Sequence, residues 1–187
     1  MTEQKARMLA GEIYRADDPE LQADALRAAD LLHTYNHSTP GDAAGRRALL
    51  EELLDEVGAD VEIRPPLHAD YGYGIRIGTG TFVNVGAVML DVARITIGSD
   101  CQIGPNVQLL TATHPLEPAA RRAKWESAEP ITLGDNVWLG GGVIVCAGVT
   151  IGENTVVGAG AVVTTDLPPN VVAVGTPARV IRDLPRD

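Results

Sequence analysis

Residues 133–163 read LGDNVWLGGGVIVCAGVTIGENTVVGAGAVV. An aliphatic residue stands at every sixth position of this stretch, and glycine follows four of the six: Leu133, Leu139, Val145, Ile151, Val157 and Val163. Residues 77–89 and 97–109 keep the same step. An α-helix repeats near 3.6 residues and a strand alternates every two, so neither explains a period of six. Each hexapeptide is therefore predicted to form one short strand and one corner of a parallel β-helix.

Glycine and asparagine, which tolerate unusual backbone angles, stand between the predicted strands in the segments 104–106, 134–136 and 152–154. Three hexapeptides complete one coil of a triangular prism, so the twelve hexapeptides of the chain predict about four coils of a left-handed parallel β-helix. The aliphatic residues are expected to point inward, and successive coils to stack at about 4.8 Å. A β-sandwich with accidental spacing is the alternative fold.

Residues 1–60 lack the period of six and are predicted to form an α-helical cap. A stripe of five apolar residues with helical spacing runs from Leu21 to Tyr35, and the Asp18-Pro19 pair before it is typical of a helix start. Apolar residues at 49–57 predict a second helix, and a shorter one is expected at 3–10. Residues 61–187 are assigned to the β-helix, with a C-terminal extension.

The composition predicts a cytoplasmic globular protein, because 45% of the residues are apolar and neither a signal-peptide run nor about 18 consecutive apolar residues occur. The formal net charge of −10 and the absence of a basic cluster argue against nucleic acid or an anionic membrane as a partner. Cys101 and Cys146 form no CxxC motif, so buried thiols are expected rather than a disulfide or a metal site.

Two interruptions of the period are the strongest indication of function. Two residues are inserted around 90–94, and a longer segment at 111–129 separates two runs of coils. Insertions into a solenoid occur at corners and commonly form its binding face, so residues 111–129 are predicted to form a protruding loop. His114 in this loop is the one histidine in or beside the repeats, and an imidazole is suited to remove a proton from an alcohol near neutral pH. An ordinary surface histidine is the alternative.

Seven segments carry a further pattern: 8–14 (MLAGEIY), 35–38 (YNHS), 70–74 (DYGYG), 89–92 (MLDV), 111–115 (TATHP), 136–141 (NVWLGG) and 175–179 (GTPAR). Together they resemble the maltose and galactoside O-acetyltransferase family of hexapeptide-repeat acyltransferases, nearly from end to end. The resemblance implies transfer of an acetyl group from acetyl-CoA to a hydroxyl of a sugar such as maltose, glucose or a galactoside. It also implies a homotrimer whose active sites lie between neighbouring prisms.

Positions that match the family imply roles for individual residues. His114 is the catalytic base, and the N–H of Gly141 stabilises the oxyanion of the tetrahedral intermediate. The other donor-binding positions are Trp138, Ala159, Thr164, Thr165, Arg179 and Arg182, and the acceptor-side positions are Asn84, Asp91, Asp70, Asp17 and Glu126. Glu126 is expected either to orient His114 or to be a solvated loop charge, and Asp17 either to contact the acceptor or to help cap a helix. For Gly141 and Trp138 the alternatives are a plain coil corner and a cover of the subunit interface.

Three positions depart from the family pattern. Thr165 stands where a lysine is common, so the CoA phosphates are expected to depend on Arg179 and Arg182. Gly86 replaces a polar residue of the acceptor cleft, and Val83 replaces an alanine. The identity of the acceptor therefore stays open at this point.

Other functions are compatible with the same repeats. An amino acid, an amino sugar or a xenobiotic could be the acceptor, and a non-catalytic trimeric binding scaffold is the alternative from another class. A γ-class carbonic anhydrase would need three zinc-binding histidines shared across a trimer, whereas the repeats offer only His114 at their border. No metal is therefore expected.

Overall fold

The computed structural model describes residues 1–185, and its N-terminal part is a helical cap. The cap consists of α1 (Glu3–Leu9), β1 (Tyr14–Arg15), α2 (Pro19–Asn36) and α3 (Ala43–Leu53). The helices predicted at 3–10 and after Asp18 are confirmed. The Asp18 carboxylate accepts hydrogen bonds from the N–H groups of Glu20 and Leu21, which caps α2. Helix α3 ends at Leu53, and Val57 lies in a strand rather than in the second predicted helix.

Three parallel sheets follow the cap and form the faces of a prism. Face 1 contains β2 (Glu56–Val57), β5 (Ile75–Ile77), β8 (Ile95–Ile97), β13 (Ile131–Leu133) and β16 (Thr150–Ile151). Face 2 contains β3 (Glu62–Ile63), β6 (Phe82–Val83), β9 (Gln102–Ile103), β14 (Trp138–Leu139), β17 (Val156–Val157) and β19 (Val171–Val174), with β20 (Arg179–Asp183) antiparallel at its edge. Face 3 contains β4 (Leu67–Ala69), β7 (Ala87–Leu90), β10 (Gln108–Leu110), β15 (Ile144–Val145) and β18 (Val162–Val163). Between β10 and β13 the chain forms β11 (Ala112–Thr113), α4 (Pro118–Arg122) and β12 (Trp125–Ala128).

The left-handed parallel β-helix predicted from the period of six is confirmed. It has about six turns rather than about four. Its first strand begins at Glu56, before the predicted boundary at residue 61. The count made from the sequence is low because the step between buried residues shortens from six to four between Ile63 and Leu67 and again between Val163 and Leu167.

The aliphatic residues of the six-residue period, called the ladder residues below, fill the prism. Each is at most 2% exposed: Ile77, Val83, Met89, Ile97, Ile103, Leu109, Leu133, Leu139, Val145, Ile151, Val157 and Val163. Burial contributes roughly 1.5–3 kcal/mol for each large aliphatic side chain. The cap closes the N-terminal end of the prism, because Leu32, Tyr35 and Leu53 belong to the same hydrophobic core as Ile63 and Leu67. The cap and the first coil are therefore packed together by one continuous apolar core.

Asparagine at the corners adopts the left-handed conformation that the sequence predicts. Asn106, Asn136 and Asn154 have φ angles of 57°, 54° and 59°. The side chain of Asn136 donates to Asn154 Oδ1 at 2.9 Å, so successive coils are also joined by side chains at this corner. Inside the coils, Cys101 is a buried free thiol, and Cys146 is a half-buried one.

Candidate active site

The insertion at 90–94 folds into a corner that is closed by a buried carboxylate. Asp91 is 1% exposed, and its Oδ1 accepts hydrogen bonds from the N–H groups of Asp70 (3.1 Å) and Tyr71 (2.9 Å). Its Oδ2 accepts a third from the N–H of Gly74 at 2.9 Å. Asp91 thus holds the backbone of two successive coils together. Contact between Asp91 and an acceptor stays a prediction beside this structural role.

The long insertion leaves the corner of the next coil and begins with His114. Strand β11 pairs antiparallel with β12, with Ala112 opposite Ala128 and Thr113 opposite Ser127. His114 directly follows β11 and is exposed. No hydrogen bond within residues 1–185 involves its ring. The imidazole is therefore accessible on this protomer, as a base for an external alcohol must be.

Glu126 of the loop is bonded to the helical cap. In the pairing of β1 with β12, Tyr14 lies opposite Glu126. The hydroxyl of Tyr14, a residue that is 1% exposed, donates to Glu126 Oε2 at 2.9 Å. Burial, and then the hydrogen bond to Glu126, raise the pKa of the Tyr14 hydroxyl, so it remains a donor at neutral pH. Orientation of His114 by Glu126 stays a prediction.

Carboxyl groups surround the base of the loop. Burial raises the pKa of Asp70 to about 6, and the negative charges of Asp91 and Glu126 act in the same direction. Asp17 is exposed and pairs with Arg15 on β1, the strand that contacts β12. The structure thus brings Asp70, Asp91 and Glu126 into one acidic region.

A groove of about 540 Å³ runs along face 2 and the corner between faces 2 and 3. Four predicted site residues line it: Asn84, Trp138, Gly141 and Ala159. Trp138 points outward from β14, as the sequence predicts, and its 55% exposed side chain forms one wall. A concave, largely apolar groove of this size is suited to a small-molecule ligand.

Two backbone donors in the groove are free. The N–H groups of Gly141 and Ala159 make no hydrogen bond with any of residues 1–185, whereas the neighbouring Gly142 N–H donates to the carbonyl of Pro105. Because Gly141 and Ala159 occupy equivalent corners of successive coils, the two donors lie one strand spacing apart, about 4.8 Å. A Cβ at Gly104 would lie 2.6 Å from the Gly141 nitrogen, so glycine at that position keeps the donor accessible.

The remaining donor-side residues lie outside this groove. Thr164 and Thr165 follow β18 on face 3, Arg179 and Arg182 lie on β20, and all four side chains are exposed. Arg179 also donates to the carbonyl of Ala178. Between residues 125 and 185 these two arginines are the only basic residues of the chain.

The structure divides the predicted site between the two edges of face 3. The groove lies at the edge shared with face 2. Asp70 and Asp91 follow β4 and β7 at the opposite edge, and the loop that carries His114 leaves the same edge after β10. His114 is not among the residues that line the groove. Within one protomer, the groove therefore lacks the predicted base.

Residues 1–185 contain neither a cluster suited to a metal ion nor a helix suited to a membrane. No three His, Cys, Asp or Glu side chains there are arranged to hold a metal ion. None of the helices in that range has the length and apolar character needed to cross a bilayer.

The chain is similar to known proteins in sequence and in structure. The maltose acetyltransferase hexapeptide capping motif matches residues 7–58, and the bacterial transferase hexapeptide motif of six repeats matches residues 130–165. The chain is 53% identical over 178 residues to nodulation protein L of Rhizobium meliloti, which covers 95% of this chain and 97% of that protein. A maltose O-acetyltransferase from Clostridium difficile has a similar structure, with a TM-score of 0.97, 41% identity and coverage of 100% and 99%. A hexapeptide-repeat acetyltransferase from Vibrio cholerae complexed with acetyl coenzyme A gives a TM-score of 0.92, 41% identity and coverage of 99% and 100%.

These matches and the solenoid place the chain among the hexapeptide-repeat acyltransferases. Within that class, the chain belongs to the maltose and galactoside O-acetyltransferase family, as its sequence motifs predict. It is an acetyltransferase whose donor is acetyl-CoA. The groove fits an acetyl-CoA arm because it is largely apolar and presents the free N–H groups of Gly141 and Ala159.

Two features of the site have no separate signal in the sequence. The bond between Tyr14 and Glu126 joins residues 112 positions apart, and only the strand pairing shows it. The three N–H contacts of Asp91 likewise depend on how consecutive coils meet. The insertion at 90–94 indicates an irregular corner there, but not which group closes it.

Proposed function

We propose that the protein transfers the acetyl group of acetyl-CoA to a hydroxyl group of a sugar, with His114 as the general base. The observation that supports this most directly is the exposed imidazole at the start of the corner loop, whose far strand carries Glu126 beside Asp70. Carboxylates bind sugar hydroxyls directionally, and Asp17, Asp70 and Glu126 are proposed to contact the acceptor together with Asn84 of the groove. Asp91 is proposed to act at this site mainly by holding Asp70.

In the proposed reaction, the acceptor hydroxyl attacks the thioester of acetyl-CoA directly. His114 takes the proton of the acceptor hydroxyl, and the oxygen attacks the thioester carbonyl carbon. The carbonyl oxygen becomes an oxyanion, which accepts a hydrogen bond from the free N–H of Gly141. When the tetrahedral intermediate collapses, the carbon–sulfur bond breaks and His114 returns the proton to the CoA sulfur. No acyl-enzyme forms, because the acceptor oxygen is itself the nucleophile.

The complete site is proposed to lie between two protomers of a homotrimer. In one protomer, His114 and the groove with Gly141 lie at different edges of face 3. A neighbouring prism that brings its loop over this groove combines the base of one chain with the donor site of the other. A cyclic trimer then contains three equivalent interfaces and three sites.

The donor is proposed to extend from Gly141 towards β20. Trp138 walls the groove, and Thr164 and Thr165 contribute hydroxyl groups from the coil that precedes β20. Arg179 and Arg182 bind the CoA phosphates, since a guanidinium group presents several N–H donors to phosphate oxygens. Because Thr165 stands where the family has a lysine, these two arginines carry most of that interaction.

The acceptor class is tested by a panel of alcohols. Glucose, maltose, methyl galactoside and glucosamine are each incubated with acetyl-CoA, with serine as a non-sugar acceptor, and the release of free CoA thiol is followed. At least one sugar is expected to react about tenfold or more faster than serine or water, since a site built to bond several hydroxyls discriminates against analogues that lack them. Equal rates across the panel contradict a sugar acceptor. Absence of turnover by an intact trimer favours a binding scaffold.

A further inference from the structure

The helical cap reaches the loop that carries His114 through a small separate sheet. Strand β12 is its central strand, with β1 of the cap on one side and β11 on the other. Tyr14 is opposite Glu126 in the first pairing, and Thr113 is opposite Ser127 in the second. The two ends of the loop are therefore tied to each other and to the cap.

The register of this sheet relates three side chains on neighbouring segments: Tyr14, Glu126 and His114. Extending the pairing of β11 and β12 by one residue beyond Thr113 places His114 opposite Glu126. Directly opposite residues of antiparallel strands project from the same side of the sheet, with Cβ atoms about 4.5–5.5 Å apart. Continued in this way, the register puts Tyr14 and His114 on the two sides of Glu126, with Tyr14 in an observed pair and His114 one residue past the last pair of β11 and β12.

Glu126 needs a partner to remain in this place. It is half-buried, and it lies close enough to Asp70 for the two carboxyl groups to repel each other. The Tyr14 hydroxyl offsets this repulsion with a hydrogen bond of 2.9 Å to Glu126 Oε2. The Tyr14 ring is itself fixed, because it packs with Met8 and Leu21 in the small core between the cap and the loop.

We propose that Tyr14 is a positioning residue for acetyl transfer: its hydroxyl holds Glu126 towards His114 and so fixes the loop that receives the acceptor. This inference depends on the proposed role of His114 as the base. It assigns a catalytic contribution to the cap, whose helices otherwise close the end of the prism. Tyr14 acts through Glu126 and touches neither substrate.

The test compares two equally buried tyrosines of the cap whose hydroxyls bind different partners. Tyr14 and Tyr35 are both 1% exposed, and the Tyr35 hydroxyl donates to the carbonyl of Ile63, away from the loop. Tyr14→Phe is expected to lower kcat/KM for the fastest sugar of the panel by roughly tenfold, the effect of losing one hydrogen bond to a charged group, and to leave KM for acetyl-CoA within twofold. Tyr35→Phe is expected to keep wild-type kinetics, although it loses about as much thermal stability as Tyr14→Phe.

A double variant tests whether Tyr14 acts through Glu126. In a Glu126→Ala background, Tyr14→Phe is expected to cause no further loss of kcat/KM, because the hydroxyl has no carboxylate left to hold. Multiplicative losses in the double variant would overturn the inference, as would equal kinetics of Tyr14→Phe and the wild type. So would equal losses in Tyr14→Phe and Tyr35→Phe.

Amide hydrogen exchange measures how firmly the loop is held, and this measurement does not depend on turnover. Tyr14→Phe is expected to speed exchange of the amides in 112–128, while Tyr35→Phe leaves them unchanged. Unchanged exchange of this segment in Tyr14→Phe overturns the inference even if no sugar of the panel reacts. A wild-type enzyme that turns over no acceptor contradicts the proposed function instead, and the exchange experiment then decides whether Tyr14 holds the loop.

Discussion

The regular coils and the interrupted corner of this molecule are held together by different forces. In the coils, residues such as Ile151 are fully buried, and each strand pairs in register with the strands of the coils above and below. At the corner, Asp91 and the Tyr14–Glu126 pair replace aliphatic contacts by hydrogen bonds to backbone and side chain. The coils thus provide a rigid frame, and the corner places ionisable groups at its surface.

This contrast indicates where functional groups can be added to a solenoid. Most side chains buried in the coils are apolar, and a buried polar one such as Thr155 needs a hydrogen-bond partner, so a coil has little freedom to carry chemistry. An inserted corner has no such constraint, provided its polar groups are satisfied. His114 lies in the one long insertion, and the free N–H of Gly141 lies at a coil corner. Substitution of an exposed functional residue should therefore change activity, whereas substitution of a buried residue in either region should change stability.

The largest effect is expected at the corner. His114→Ala is predicted to lower kcat by about 10²–10⁴-fold, the usual contribution of a general base, with an unchanged thermal midpoint because the side chain is exposed. The matched control is His68→Ala, which removes another exposed imidazole, on β4, and is expected to keep full activity. Steady-state kinetics and thermal unfolding measure both. Wild-type turnover by His114→Ala would show that His114 is not the general base.

A substitution in the coils should act in the opposite way. Ile151→Ala is predicted to lower the free energy of unfolding by about 2–5 kcal/mol, because a fully buried side chain leaves a cavity in the prism. Thr150→Ala, at the exposed position next to it, is expected to change stability by less than about 0.5 kcal/mol. Denaturant titration of both variants checks this. Equal losses of stability in the two variants would mean that burial of the ladder residues does not stabilise the prism.

Asp91→Asn tests whether the corner depends on its buried carboxylate. The amide of asparagine can replace only one oxygen, so one or more of the three N–H groups loses its acceptor. A loss of about 1–3 kcal/mol of stability is expected from an unsatisfied buried donor. Calorimetry of the wild type and the variant measures it. Full stability with reduced acceptor affinity would instead assign Asp91 mainly to substrate binding.

The smallest effect concerns Asp70 and is a change in pH dependence. Its pKa is raised from 3.8 in the unfolded chain to about 6 in the folded one. Below both values the carboxyl is neutral in both states. As the pH rises through this range, the unfolded chain releases the proton first, so the folded state loses stability.

Asp70→Asn removes this titration. The variant is expected to gain thermal stability over the wild type above about pH 6 and to show little difference near pH 4. Thermal midpoints across this range check the prediction. A gain of thermal stability confined to acidic pH would contradict a raised pKa of Asp70.

Much of the fold could be predicted from the sequence, because the ladder residues repeat at a spacing that only a β-solenoid explains. The number of turns could not, since the step shortens between Ile63 and Leu67 and after Val163. The loop that contains His114 could be predicted because it interrupts the period of six. The contact of Tyr14 with Glu126 could not, because strand pairing between distant segments leaves no local pattern.

In the proposed shared site, His114 of one protomer serves the groove of another. The most direct measurement mixes two inactive variants, His114→Ala and Ala159→Trp, the second of which fills the groove at an exposed position. In trimers assembled at random from equal amounts, a site that combines two chains recovers about a quarter of wild-type acetyl transfer, since one protomer supplies His114 and its neighbour the open groove. Activity that never exceeds that of the two parent variants, in trimers shown to contain both chains, would contradict a shared site.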